Sequence, residues 1–174
     1  MLPKLEKLLL DTDLNVEVRP YLNSLGFRTK FALHVKANER DDAALLRWAR
    51  RYGYVLVCHD AYRDRDTKLQ VYPKLYQNGG RILRISGDSS QDSLTAVGKV
   101  IVHRDKWVRW FAEHDGIVVV SGENIIYQYA HDLYTRVRRH LEGFDPPEQI
   151  RRRKSLRPRT RPRPKSAQQP RLIS

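Results

Sequence analysis

Cysteine is nearly absent from this chain: Cys58 is the single one in 174 residues. One thiol excludes a disulfide scaffold and any zinc site built on paired cysteines, and it fits a reducing compartment. Long apolar runs are missing too. The longest aliphatic stretches are Ala43-Ala44-Leu45-Leu46 and Ile117-Val118-Val119-Val120, far short of the roughly 18 residues a membrane span needs. Lys4, Glu6 and Lys7 precede Leu8-Leu9-Leu10, so there is no h-region of a signal peptide. The chain has no internal repeat and no GxxxxGK phosphate loop, and its six histidines show no ligand spacing. A soluble, cytoplasmic protein with no membrane partner is expected.

What the chain does have is positive charge, unevenly placed. Lys and Arg number 33 against 20 Asp and Glu, a net charge of +13. Ten of those 33 fall in residues 151–174, with no acid among them: Arg151, Arg152, Arg153, Lys154, Arg157, Arg159, Arg161, Arg163, Lys165 and Arg171. That leaves 23 basic and 20 acidic residues over 1–150, an almost neutral body. The expected organisation is a folded domain over 1–142, then a linker with Pro146-Pro147 and a disordered basic tail over 143–174. Arg-Pro alternation keeps such a tail extended and its guanidinium groups presented. Arg151 to Lys154, with Arg157, Arg159, Arg161 and Arg163, are the candidate nucleic-acid contacts. If about six charges met phosphates, affinity would fall with salt at a log–log slope of roughly −4 on single strands. The tail has no aromatic residue to stack bases, so it should add affinity and little sequence choice. An acidic partner or a solubilising role would explain it as well.

Along the body, strands alternate with helices. Lys7–Asp11 reads as a buried strand. Leu14, Val18, Leu22 and Leu25 follow at helical spacing, stopped by Gly26; Pro20 interrupts the pattern, so a late start or a kink is expected. Thr29–Val35 reads as a second strand. Asp41-Asp42 then caps a helix carrying Leu45, Trp48, Ala49 and Tyr52, closed by Gly53. Tyr54–Cys58 is the clearest strand. A helix over Lys68–Gln77, a strand over Arg81–Ile85 and a long, breakable helical region over Ser89–His114 come next. Gly116–Ser121 and Asn124–Tyr129 form a hairpin, and a last helix covers Ala130–Leu141. Trp107 and Trp110, at helical spacing, read as core. This alternation predicts an α/β domain with a mainly parallel central sheet.

In that arrangement three carboxylates meet. Asp11 ends the first strand, Asp60 follows the third, and Asp42 opens the helix that leaves the second, so all three fall on one edge of the sheet. That edge is where open α/β sheets bind ligands. Asp13, Asp41, Asp64 and Asp66 lie close enough in sequence to add to them. Each has a plainer role as well: Asp41 or Asp42 as a helix cap, Asp60 as an Asx turn. Together they repel one another unless a cation intervenes, and all-oxygen ligands suit Mg²⁺ or Mn²⁺.

The stretches Leu8-Leu9-Leu10-Asp11, Asp42-Ala43-Ala44-Leu45-Leu46-Arg47-Trp48-Ala49-Arg50 and Gly53-Tyr54-Val55-Leu56-Val57-Cys58-His59-Asp60 resemble the PIN-like domains, small and often toxin-type relatives of the PIN nucleases. The resemblance covers about residues 7–129. It implies a three-layer α/β/α fold and a metal-dependent nuclease, usually acting on RNA. Asp11, Asp42 and Asp60 would be the catalytic and metal-binding residues. Two positions depart from the family pattern: Cys58 replaces its Thr, and Tyr62 stands where a further Asp is common, so Asp64, Asp66 or Asp13 would serve as the fourth carboxylate. The chemistry expected is phosphodiester hydrolysis, with Mg²⁺ or Mn²⁺ activating water. Arg63 and Arg65 would hold phosphate beside the metals, and His59 is a bystander or a substrate contact. RNA, single-stranded or structured, is the expected partner; an antitoxin-like inhibitor and a homodimer stay open.

Two other classes compete. One is a non-catalytic RNA-binding protein on a degenerate PIN-like body. The other starts from Leu8-Leu9-Leu10-Asp11-Thr12-Asp13, which also resembles the opening of the haloacid-dehalogenase phosphatases, with Asp11 as nucleophile and Asp13 as general acid. Asn15 stands where those enzymes have Thr or Val, and no later Asp-Asp pair follows the last strand.

Overall fold

A computed structural model describes residues 7–35, 41–63 and 65–141. The proposed tail, the linker and Asp64 lie outside the described residues. In chain order the elements are β1 (Lys7–Leu10), α1 (Val18–Ser24), β2 (Arg28–Phe31), a 3₁₀ turn (Ala32–His34), α2 (Asp42–Tyr52), β3 (Val55–Cys58), α3 (Arg65–Asn78), β4 (Arg81–Ile85), α4 (Ser93–Val102), α5 (Arg104–Glu113), β5 (Gly116–Val120), β6 (Ile125–Tyr129) and α6 (Ala130–Leu141). The strands form one sheet in the order β2-β1-β3-β4-β5-β6. All neighbours are parallel except β5 and β6, which pair as the expected antiparallel hairpin.

Successive strand residues face opposite sides, and both sides are covered. Leu8, Leu10, Val55, Val57, Leu83, Ile85, Val118 and Val120 pack with α1, α4 and α5. Leu9, Leu56, Cys58, Ile82, Ile117 and Val119 pack with α2, α3 and α6. Strands buried on both faces explain the short continuous apolar runs in the sequence. Among the described residues no helix is long and apolar enough to cross a membrane.

Several boundaries differ from expectation, and two breaks fall where the sequence allows them. The helix after β1 starts at Val18, which brings Pro20 into its first turn, where a missing N–H costs no helical bond. Strand β2 ends at Phe31 instead of Val35, because its partner β1 ends at Leu10, the residue paired with Phe31. Helix α3 begins at Arg65, three residues before Lys68, and runs through Pro73. The long helical region is broken, as its sequence allows, with the division at His103. There the Trp107 indole donates to the Val100 carbonyl at 2.9 Å, supplying a partner at the end of α4.

Candidate acidic site at the sheet switch point

Because β1 to β5 are parallel, their C-terminal ends share one edge. The chain leaves β1 for β2 on one side and returns from β2 to β3 on the other, so the order reverses between β1 and β3. Such a switch point opens a crevice between the two following loops. Asp11, Asp13, His59 and Asp60 all lie in those loops.

Asp11 extends the ladder by one rung: its N–H donates to the Val57 carbonyl at 2.9 Å. The residue is 7% exposed, and its carboxylate accepts the Thr12 N–H at 2.7 Å. Asp13 reaches across to the loop after β3. Its Oδ2 accepts the N–H of His59 at 2.7 Å and of Asp60 at 2.9 Å. Asp60 in turn accepts the Tyr62 N–H at 2.6 Å, the Asx turn its sequence position suggests. Tyr62 is the one non-glycine residue with positive φ (46°) among the described residues. The ring of Tyr62 is buried, with its hydroxyl 3.6 Å from Cys58 Sγ. Asp42 lies in the first turn of α2, but capping falls to Asp41, whose Oδ1 accepts the Ala44 N–H at 3.0 Å. That frees the Asp42 carboxylate to face the other acids.

The charges act on one another. Burial pushes the Asp11 carboxyl up to about 7, against the opposing Thr12 N–H and with help from the charges of Asp13 and Asp42. Burial, then the charges of Asp60, Asp13 and Asp41, push Asp42 up to about 6. Asp13 is also raised, chiefly by burial, while the hydrogen bond from His59 and that residue's ring pull it back. Four carboxylates from three segments thus share one electrostatic neighbourhood. The second oxygen of Asp13, Oδ1, is buried with no hydrogen-bond partner among the described residues. No three acidic, histidine or cysteine side chains among the described residues stand close enough to hold one ion. The site supplies converging charge and a free carboxylate oxygen.

A cleft of about 720 Å³ opens beside these acids, lined by Asp13, His59, Asp60, Arg63, Arg84 and Asp88 among others. The chain matches no known family model, no curated protein and no solved structure. Arg63 lines this cleft. Arg65 opens α3 and lies in a neighbouring cavity, its Nη2 donating to His140 Nδ1 at 3.3 Å. Asp66 sits in the first turn of α3 and is exposed. His59 is buried; besides its N–H bond to Asp13, its Nδ1 lies 3.2 Å from the Ile85 carbonyl, tying the ends of β3 and β4. Trp107 is core, whereas Trp110 is half-buried and stacks on Tyr127 at 5.4 Å. Arg84 is the rim residue the sequence reading passes over. Its signal was available: a cation set between Leu83 and Ile85 inside a central strand.

Proposed function

We propose that this chain is a metal-dependent endoribonuclease of the PIN-like kind, hydrolysing RNA phosphodiesters at the acidic crevice. The observation that carries the reading is the convergence of Asp11, Asp13, Asp42 and Asp60 at the β1/β3 switch point, with Asp11 and Asp42 raised to about 7 and about 6. Asp11, Asp13 and Asp42, which burial holds back from ionising, are groups a divalent cation would stabilise in their charged form. The donors are all oxygen, which suits Mg²⁺ or Mn²⁺, and Asp13 Oδ1 is buried and unpartnered among the described residues. When bound, such an ion would lower the pKa of water and offset charge on the attacked phosphate.

The chain's own groups have distinct tasks. Asp11 and Asp42, whose carboxyls burial raises, would lose their protons on holding a cation. Asp13 holds the loop after β3 with Oδ2 and offers Oδ1. Asp60, exposed at the rim, completes the set, and Asp64 is the further carboxylate candidate. Arg63 and Arg84, on the cleft wall, would bind non-bridging phosphate oxygens and orient the substrate. The basic residues from Arg151 onward would supply salt-sensitive attraction to RNA.

Purified protein with Mn²⁺ or Mg²⁺ should cut a mixed RNA pool, and Asp11→Asn and Asp42→Asn should each abolish cutting. RNA left intact by the wild type, or cut equally by both variants, overturns the reading. Salt-sensitive RNA binding without cleavage would identify a non-catalytic RNA-binding protein on this body.

A further inference from the structure

A second cavity, of about 420 Å³, lies behind the wall formed by Arg63 and Arg84. It is bounded by the loop after β3 and by α3, β4 and α6, and its lining includes Arg63, Arg65, Lys68, Arg84, Arg136 and His140. No carboxylate is among its described lining residues. Arg84 is the decisive member. It stands on β4, a strand with parallel neighbours on both sides, and alternates with Ile82 onto the face covered by α2, α3 and α6. Apolar side chains occupy that face elsewhere, so a guanidinium there needs compensation. Its Nε is buried without a hydrogen-bond partner among the described residues. None of Arg63, Lys68, Arg84 and Arg136 is paired with a carboxylate among the described residues.

Tyr72 links this cavity to the acidic crevice. Its hydroxyl is raised by burial and by Asp60, but Arg136 and Arg84 oppose that. A phenol that feels two arginines and Asp60 lies where the basic cavity meets the acidic cleft.

We propose that this cavity binds a terminal phosphate: a phosphomonoester dianion carried by the end of an RNA strand. Several cations lining one cavity match a compact dianion, and Arg84 and Arg136 can donate paired N–H groups to it. A volume of 420 Å³ is in the range of small-ligand sites. Backbone diesters, each a single charge in a continuous strand, suit open basic surfaces instead. The binding claim stands on the cavity alone. Only RNA as the source of the phosphate rests on the nuclease reading.

The test uses the full chain in EDTA, so that no cleavage intervenes. One short RNA is titrated with a 5′-phosphate, with a 3′-phosphate and with neither, alongside AMP, adenosine and inorganic phosphate. The basic tail meets all three RNAs equally, so differences among them report the cavity. At least one phosphorylated end should bind about tenfold tighter than the unphosphorylated RNA, and AMP should raise the melting temperature where adenosine does not. Arg136→Gln, on the exposed side of α6, should reduce that preference below about threefold, and so should Arg84→Gln if it folds. Equal affinity for all three RNAs, or an unchanged preference in Arg136→Gln, overturns the proposal. Inorganic phosphate or AMP binding without any preference among the RNAs would place a free phosphorylated metabolite in the cavity and overturn the RNA assignment. An end preference without cleavage in metal sinks the nuclease reading alone, and cleavage without an end preference sinks this one alone.

Discussion

Asp13 accepts the main-chain N–H of Asp60 at 2.9 Å, so the acid after β1 sets the position of the acid after β3. Together with the His59 N–H at 2.7 Å, this makes one carboxylate oxygen the clamp between the two loops of the switch point.

Removing the clamp should loosen the site as well as change its charge. Asp13→Ala leaves two N–H groups without their acceptor and should cost about 1.5–3 kcal/mol. Asp13→Asn keeps an acceptor oxygen and should lose much less stability, while still removing a negative charge from the crevice. Urea denaturation of the two variants side by side measures the difference.

The raised carboxyls make stability depend on pH in a direction opposite to an ordinary salt bridge. Below about pH 4 folded and unfolded chains both carry the Asp11 proton, and its burial costs nothing. Between there and about 7 the unfolded chain has released it and the folded chain still holds it. Stability therefore falls as pH rises through this window, by up to about 4 kcal/mol from Asp11 at 1.36 kcal/mol per unit. Asp42, raised to about 6, adds in the same direction. Thermal unfolding in EDTA from pH 4 to 8 should show a decline that Asp11→Asn flattens.

A divalent cation should reverse that decline. At pH 7.5, Mn²⁺ or Mg²⁺ should raise the melting temperature of the wild type, and the shift should shrink as pH drops below about 6, where protons compete for Asp42. Asp42→Asn and Asp60→Asn should each lose most of it. Differential scanning fluorimetry reads this directly, and an unshifted wild type rules metal binding out.

Gly116 should tolerate no side chain. A Cβ placed there would lie 2.2 Å from the Gln128 carbonyl oxygen, in main chain that cannot step aside, and the residue's φ is +153°. Gly116→Ala should destabilise the β5–β6 hairpin by at least about 1–3 kcal/mol, measurable by chemical denaturation.

Much of this architecture can be read from the sequence, because strands buried on both faces announce themselves as apolar runs. Leu8-Leu9-Leu10, Val55–Val57 and Ile117–Val120 are examples. Asp11, Asp42 and Asp60 are legible for a related reason: each sits at a strand end or helix start, and parallel strands bring such ends to one edge. The sequence conceals what depends on three dimensions. Nothing local distinguishes Asp41 from Asp42 as the cap, and only the Ala44 N–H bond assigns it to Asp41. Asp13 looks like a loop residue until its bonds to the other loop are seen. Lys68, Arg84 and Arg136 are scattered over two helices and a strand, and only the packing of α3 against α6 over β4 gathers them around one cavity.

Cys58 offers a clock for the site. Its thiol is buried directly beneath the crevice, beside the Tyr62 hydroxyl, with an ionisation shifted well above the ordinary range. A thiol so placed is silent toward alkylating reagents until the β3 loop lifts away. Since no second cysteine competes in the whole chain, the labelling rate of this one atom measures how often that loop opens. Any ligand that holds the crevice shut should slow it.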